Sequence, residues 1–202
     1  MNYAAIKKTD VANGPGIRVS LFVSGCTHGC KGCFNSEAWD FMYGGEYTKE
    51  TEAELLEALA PGYIRGLSVL GGEPMDPRNR GTVLALLRTV RRRFPEKDIW
   101  CYTGYDYEND LLRWVQEENF EAIREHGKGA SSGGDAAAVQ SGGAEHVPGE
   151  TAELLSLIDV LVDGEFVEEK KNLRLAFRGS ENQRLIDVRE SLRQGKVVCL
   201  PK

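Results

Sequence analysis

Three of the chain's five cysteines fall in one short run, Cys26-Thr27-His28-Gly29-Cys30-Lys31-Gly32-Cys33. Thiolates this close, separated by glycines that permit tight turns, can wrap around a single inorganic cluster. A 4Fe-4S cube held by three cysteines leaves one iron with positions open to a ligand that is not protein. Structural zinc is the rival, with His28 as fourth donor, because closed zinc sites take four N or S ligands. His28 lies between the first two cysteines, a poor position for closing a tetrahedron with them, so the spacing favours iron and sulfur. Cys101 and Cys199 stand far apart, each flanked by apolar residues, which is the pattern of small core hydrophobes.

A second group follows at Gly71-Gly72-Glu73-Pro74. Two glycines and a proline end a strand ladder there and expose backbone beside an acid. Alone, it is a strand-terminating turn.

Both groups need strand ends to carry them. Ile17, Val19, Leu21 and Val23 alternate, predicting a strand over 17–23 with one buried face, entered through the turn Asn13-Gly14-Pro15-Gly16. The cysteines then occupy its C-terminal loop. Thr51 and Glu54 read as a capping box for a helix over 48–60, closed by Pro61-Gly62. Leu67 to Leu70 forms a short buried-type strand running into the glycines. Val83, Leu84, Leu87, Val90 and Phe94 recur at helical spacing, with Arg91, Arg92 and Arg93 read as a solvated last turn suited to the helix dipole. A strand at 99–103, a helix near 108–119, a strand at 158–162 and weaker pieces beyond complete an α/β alternation.

The chain has 202 residues, which bounds it to one domain. Of the 24 residues from 127 to 150, 15 are Gly, Ala or Ser, so this segment is expected to be a flexible low-complexity loop within that domain. His126 and His146, in or beside it, read as solvated. The net charge of -6 gives no global attraction to nucleic acid or to an anionic membrane, and neither partner is expected. No apolar run approaches the ~18 residues of a membrane span. The first residues also lack a signal-peptide stretch, so a cytoplasmic location is expected, and crowded cysteines in a reducing compartment point to metal.

Taken together, the cysteine array and the Gly-Gly-Glu-Pro loop resemble the radical S-adenosylmethionine enzymes. Longer blocks narrow the resemblance: Asn13-Gly14-Pro15-Gly16-Ile17-Arg18, Leu21-Phe22-Val23-Ser24-Gly25-Cys26, Gly32-Cys33-Phe34-Asn35, and Asp98-Ile99-Trp100 with Tyr102-Thr103-Gly104-Tyr105. With Leu161-Val162-Asp163-Gly164, Arg178-Gly179-Ser180 and Asn182-Gln183, these are similar to the activating proteins of anaerobic (class III) ribonucleoside-triphosphate reductases. That resemblance implies one 4Fe-4S cluster on Cys26, Cys30 and Cys33, and S-adenosylmethionine chelated at the fourth iron. It implies S-adenosylmethionine contacts at Gly32, Phe34, Gly72 and Glu73, mostly through backbone, with Glu73 near the ammonium group.

The implied activity is reductive cleavage of S-adenosylmethionine and formation of a glycyl radical on the reductase, with a low-potential electron donor as second partner and no side chain acting as acid, base or nucleophile. The implied fold is a partial, open (β/α) barrel of the radical S-adenosylmethionine type, since a closed barrel usually needs ~250 residues. Many superfamily members carry an aromatic just before the last cysteine, where Gly32 stands here and Phe34 follows instead. Arg18, Arg178 and Arg184 could face the partner, although exposed arginines are common, and Trp100, Tyr102 and Tyr105, ordinary strand and core aromatics by default, gain a site role as an equal alternative from the family block around them. Two alternatives stay open: a small-molecule enzyme of the same superfamily, resembling a deazapurine synthase, and a zinc-binding interaction module.

Overall fold

Seven strands and five α-helices build the part of the chain that the computed structural model describes, residues 1–128 and 149–201. The strands are β1 (Asn2–Asp10), β2 (Ile17–Val23), β3 (Gly45–Glu46), β4 (Ile64–Gly71), β5 (Asp98–Tyr102), β6 (Val160–Asp163) and β7 (Arg184–Asp187). The helices are α1 (Lys49–Leu59), α2 (Pro77–Arg93), α3 (Leu112–Lys128), α4 (Glu150–Leu157) and α5 (Val188–Gln194). One mixed sheet runs in the order β3-β1-β2-β4-β5-β6-β7. Its middle, β2-β4-β5-β6, is parallel, and its flanks pair antiparallel. Parallel neighbours need long crossovers, which the helices supply. The four parallel strands therefore end at one edge of the sheet, and this places the cysteine loop after β2 beside the glycine loop after β4. The edge strands β3 and β7 do not pair with each other, so the sheet is open and not a closed barrel.

The helices cover one face. Val19, Leu21 and Val23 of β2, Leu67 and Val69 of β4, Ile99 and Cys101 of β5 and Leu161 of β6 point into a core shared with Leu55, Leu59, Val83, Leu87 and Leu154. The opposite face carries a smaller cluster, Trp100, Val160, Val162 and Leu185, on which Tyr102, Phe177 and Leu200 pack.

Strand β2 keeps the expected bounds, but both of its faces are buried: Arg18 and Ser20 have no exposed surface. Arg18 does not face a partner. It lies under the sheet's second face, donating to Ser68 Oγ at 2.7 Å and to the Leu67 carbonyl at 2.9 Å, and pairing with Asp98. Helix α1 is capped by Thr48, whose hydroxyl accepts from the Thr51 N–H, so Thr51 sits in the first turn and is not the cap.

Arg91 is not a solvated terminal residue either. It donates to the Leu157 and Lys97 carbonyls and pairs with Asp159, bracing α2 against α4 and β6, while Arg92 and Arg93 are exposed. Cys101 is a buried core residue as expected, whereas Cys199 is exposed. Of the segment 127–150 expected as a loop, Gly127 and Lys128 close α3 and Glu150 opens α4, while residues 129–148, with His146, lie outside the described residues. Among the described residues no helix is long and apolar enough to cross a membrane.

Candidate functional site

The backbone after β2 turns sharply because Gly25 takes φ of +96°, and a Cβ there would lie 2.0 Å from Phe41. Gly25 and Cys26 donate to the carbonyls of Ala38 and Trp39, which fixes the start of the cysteine loop on the 3₁₀ turn Ser36–Trp39. The loop after β4 then closes onto it. The Gly72 N–H reaches the Val23 carbonyl and the Glu73 N–H the Gly25 carbonyl, each at 2.7 Å. Gly72 admits this approach because a Cβ would sit 2.5 Å from the Gly25 oxygen.

Asn79 completes the joint. Buried in the first turn of α2, it donates to the carbonyls of Ser24 and Glu73, each at 3.0 Å. One amide thus satisfies acceptors from both loops. Sequence reading missed this residue, although the signal is present: Asn79 shares the apolar helical face of Val83, Leu86 and Val90, where a polar side chain needs a partner.

Glu73 is 1% exposed and fully engaged. One carboxylate oxygen accepts from the Met75 N–H at 2.9 Å and Thr103 Oγ at 2.8 Å; the other accepts from the Gly104 N–H at 2.7 Å and meets His28 Nε2 at 3.0 Å. His28 Nδ1 lies 2.9 Å from Glu165 Oε1, and its ring packs against Tyr105. The hydrogen bond to Glu73, opposed by burial and helped by Glu165, raises the His28 pKa above its ordinary value. A ring between two carboxylates donates from both nitrogens in its imidazolium form. Glu73 therefore knits the loops after β2, β4 and β5 together.

Cys26, Cys30 and Cys33 are free, partly buried thiols, and all three line one cavity of about 510 Å³ together with Phe34 and Gly71 to Glu73. Burial, with the Glu73 carboxylate nearby, pushes the Cys26 thiol up to about 11, and burial raises Cys30. A bound metal would reverse this, since coordination deprotonates a thiol outright. Phe34 is exposed at the rim and packs on Phe166. Gly32 is not on the cavity wall. It takes φ of +72° in the turn before Cys33, and a Cβ would meet Glu168 at 2.9 Å.

The thiols are not gathered as a closed zinc site would gather them. Three thiolates on one zinc, at Zn–S of about 2.3 Å, would converge to about 3.8 Å of one another. The cysteines do not: among the described residues the one group of three or more such donors converging within 4.8 Å is Asp106, Glu108 and Asp163, and Arg184 occupies it as counter-ion. Both His28 nitrogens are already engaged. Three thiols around an open cavity fit an iron-sulfur cluster that Cys26, Cys30 and Cys33 would hold. Arg184 is turned inward to these acids and not toward a partner, while Arg178 borders the cavity.

Comparison with known proteins agrees. Residues 12–186 match the family model described as a 4Fe-4S single cluster domain. The chain is 37% identical over 185 residues to the anaerobic ribonucleoside-triphosphate reductase-activating protein of Enterobacteria phage T4, covering 92% of this chain and 93% of that protein. The proteins of the same name from Vibrio cholerae serotype O1 and Escherichia coli (strain K12) are 39% and 36% identical, each covering 91% of this chain and 96% of the relative. Likeness of this extent spans nearly every element described above, so the chain is a member of the anaerobic ribonucleoside-triphosphate reductase-activating protein family.

Proposed function

We propose that the protein is an activase that reductively cleaves S-adenosylmethionine and generates a glycyl radical on an anaerobic ribonucleoside-triphosphate reductase. The observation that carries this is the shared cavity, lined by the three thiols and by the Gly71-Gly72 loop. Cys26, Cys30 and Cys33 would hold the 4Fe-4S cluster. When bound, the cluster would supply the one electron needed for reductive cleavage of S-adenosylmethionine, the chemistry from which the glycyl radical on the reductase would follow.

The chain's own residues bind, orient and exclude water. Gly71 and Gly72 offer backbone groups to the amino-acid end of S-adenosylmethionine, and Phe34 offers a ring face at the rim. Glu73, with its oxygens already accepting four hydrogen bonds, acts mainly by holding the three loops in register and adds negative potential near an ammonium group. Gly32 shapes the turn that separates Cys30 from Cys33. The reading takes the open sheet as a partial (β/α) barrel of the radical S-adenosylmethionine type, reached from the side by a protein substrate, with a low-potential donor supplying the electron in a cytoplasmic, reducing setting.

The test is anaerobic incubation of the reconstituted protein with S-adenosylmethionine, a reductant and the reductase, read by EPR. A glycyl radical is expected, and deuterium placed at the target glycine Cα should appear in 5'-deoxyadenosine. Unlabelled product, or efficient turnover of a small molecule with no reductase present, would sink the assignment.

A further inference from the structure

His28 stands in the arch between Cys26 and Cys30, and both of its ring nitrogens are engaged by protein. Its side chain is 9% exposed and lies between two carboxylates from different parts of the sheet. Glu73, in the loop after β4, is 3.0 Å from Nε2; Glu165, in the loop after β6, is 2.9 Å from Nδ1. The ring also packs edge-on against Tyr105, with 4.5 Å between centroids. Gly104 makes room for it, since a Cβ there would lie 2.6 Å from the ring atoms Cδ2 and Nε2. One side chain thus joins the arch to the ends of β4, β5 and β6.

The other contacts of the cysteine loop are weaker. Lys31 pairs with Glu168 at 2.9 Å, but those side chains are 81% and 41% exposed, and a solvated pair of this kind holds little. Phe34 meets Phe166 with 5.1 Å between centroids, at an exposed rim. The Cys33 N–H stays within the loop, donating to the Cys30 carbonyl at 3.1 Å. A hydrogen bond to a buried charged group outweighs an exposed pair several-fold, so the contact of His28 with Glu73 dominates what holds the arch.

We propose that His28 is a positioning residue, which through Glu73 and Glu165 sets the arch between Cys26 and Cys30 against the Gly71-Gly72 loop. Three thiolates gripping one cluster fix their own spacing, but they do not fix how the loop that carries them lies against its neighbours. Groups behind a metal's ligands commonly do that. Glu73 follows Gly72 directly in the chain, so its bond to His28 links the thiols to the backbone offered to S-adenosylmethionine. Loss of His28 therefore spares cluster loading and loosens the relation between the two loops. The inference rests on the proposed function for its ligand, whereas the tie itself is a property of the chain.

The test compares reconstituted His28→Leu, His28→Gln, Glu165→Gln and the double variant His28→Leu/Glu165→Gln with wild type, each assayed for iron and sulfide per chain. Hydrogen–deuterium exchange is followed over residues 27–35, with β2 and α2 as reference. S-adenosylmethionine affinity is measured together with the change it causes in the EPR spectrum of the reduced cluster. His28→Leu should keep wild-type iron, speed exchange over 27–35 and weaken S-adenosylmethionine binding, each roughly 10-fold, with β2 and α2 unchanged. His28→Gln, which keeps a donor to one carboxylate, should recover part of both. Glu165→Gln alters a carboxylate that is 55% exposed and should shift each readout roughly 2- to 5-fold. The double variant should be no worse than His28→Leu alone, because Glu165 acts through His28. A merely structural role would instead speed exchange in β2 and α2 and lower iron with it. Wild-type exchange over 27–35 in the His28 variants, wild-type affinity and spectrum in them, or additive losses in the double variant would overturn the proposal; if His28→Leu does not fold, His28→Gln and Glu165→Gln carry the same comparison. Failure of the loaded wild-type protein to bind S-adenosylmethionine would overturn the proposed function, and exchange over 27–35 would still judge the tie.

Discussion

At the scale of single residues, the site depends on side chains that do no chemistry themselves. Asn79 satisfies carbonyls of both loops, so Asn79→Ala leaves buried acceptors unpartnered. It should cost roughly 2 kcal/mol in urea unfolding and lower the iron retained per chain. Cys26→Ala, Cys30→Ala and Cys33→Ala should each abolish cluster assembly, whereas Cys101→Ala and Cys199→Ala should leave iron content at the wild-type level. A Cys30→Ala variant with full iron would refute the ligand set. Asp76, the cap of α2, gives a pH signature. Burial alone would raise its pKa, but hydrogen bonds from the Arg78 side chain and N–H bring the net value below the ordinary 3.8. A folded-state pKa below the unfolded one means stability that is present above pH 3.8 and lost as pH falls through the folded value. The difference between wild type and Asp76→Ala, about 1 kcal/mol near neutrality, should therefore hold between pH 8 and 5 and shrink below about 3.8 in urea titrations at stepped pH.

At the scale of elements, the parallel strands β2 and β4 bring two loops to one edge, and glycines let those loops touch. Gly72→Ala places a Cβ 2.5 Å from the Gly25 carbonyl oxygen, which must then move and carry the cysteine loop with it. The expected outcome is a protein with wild-type far-UV circular dichroism that binds less iron on reconstitution. Full iron binding by Gly72→Ala would show that the loops tolerate separation. Element boundaries show how local signals succeed and slip. The alternation of Ile17 to Val23 matches β2 because its buried side is apolar throughout, whereas the capping box at Thr51 is displaced by Thr48, which offers the same hydroxyl one turn earlier. Near 108 the chain forms a wide turn, Tyr107–Leu111, before α3, because Asp106 accepts from Asn109 and Asp163 from Tyr107.

At the scale of the whole molecule, Arg18 ties the base of β2 to β4 and β5. Arg18→Met removes the buried partner of Asp98 and should cost about 3 kcal/mol, toward the low end for a broken buried pair, because Arg65 still pairs with Asp98. The urea midpoint would fall. The sequence by itself determined the short-range chemistry. Spacing within Cys26 to Cys33 and the glycines of 71 and 72 are covalent facts, and the α/β alternation placed both groups at strand ends. Only the tertiary structure decided which long-range partners those residues meet. Glu73 finds His28, Thr103 and Gly104, Arg18 finds Ser68 and Asp98, and Arg184 closes on Asp106, Glu108 and Asp163. Strand β1, inside the sheet between β3 and β2, and the edge strand β7 likewise escaped a reading by period, because each takes its place from the neighbours it pairs with and shows little alternation of its own. The physical reason is common to all of these: burial and partner choice are set by contacts between residues distant along the chain, and no local period or spacing records them.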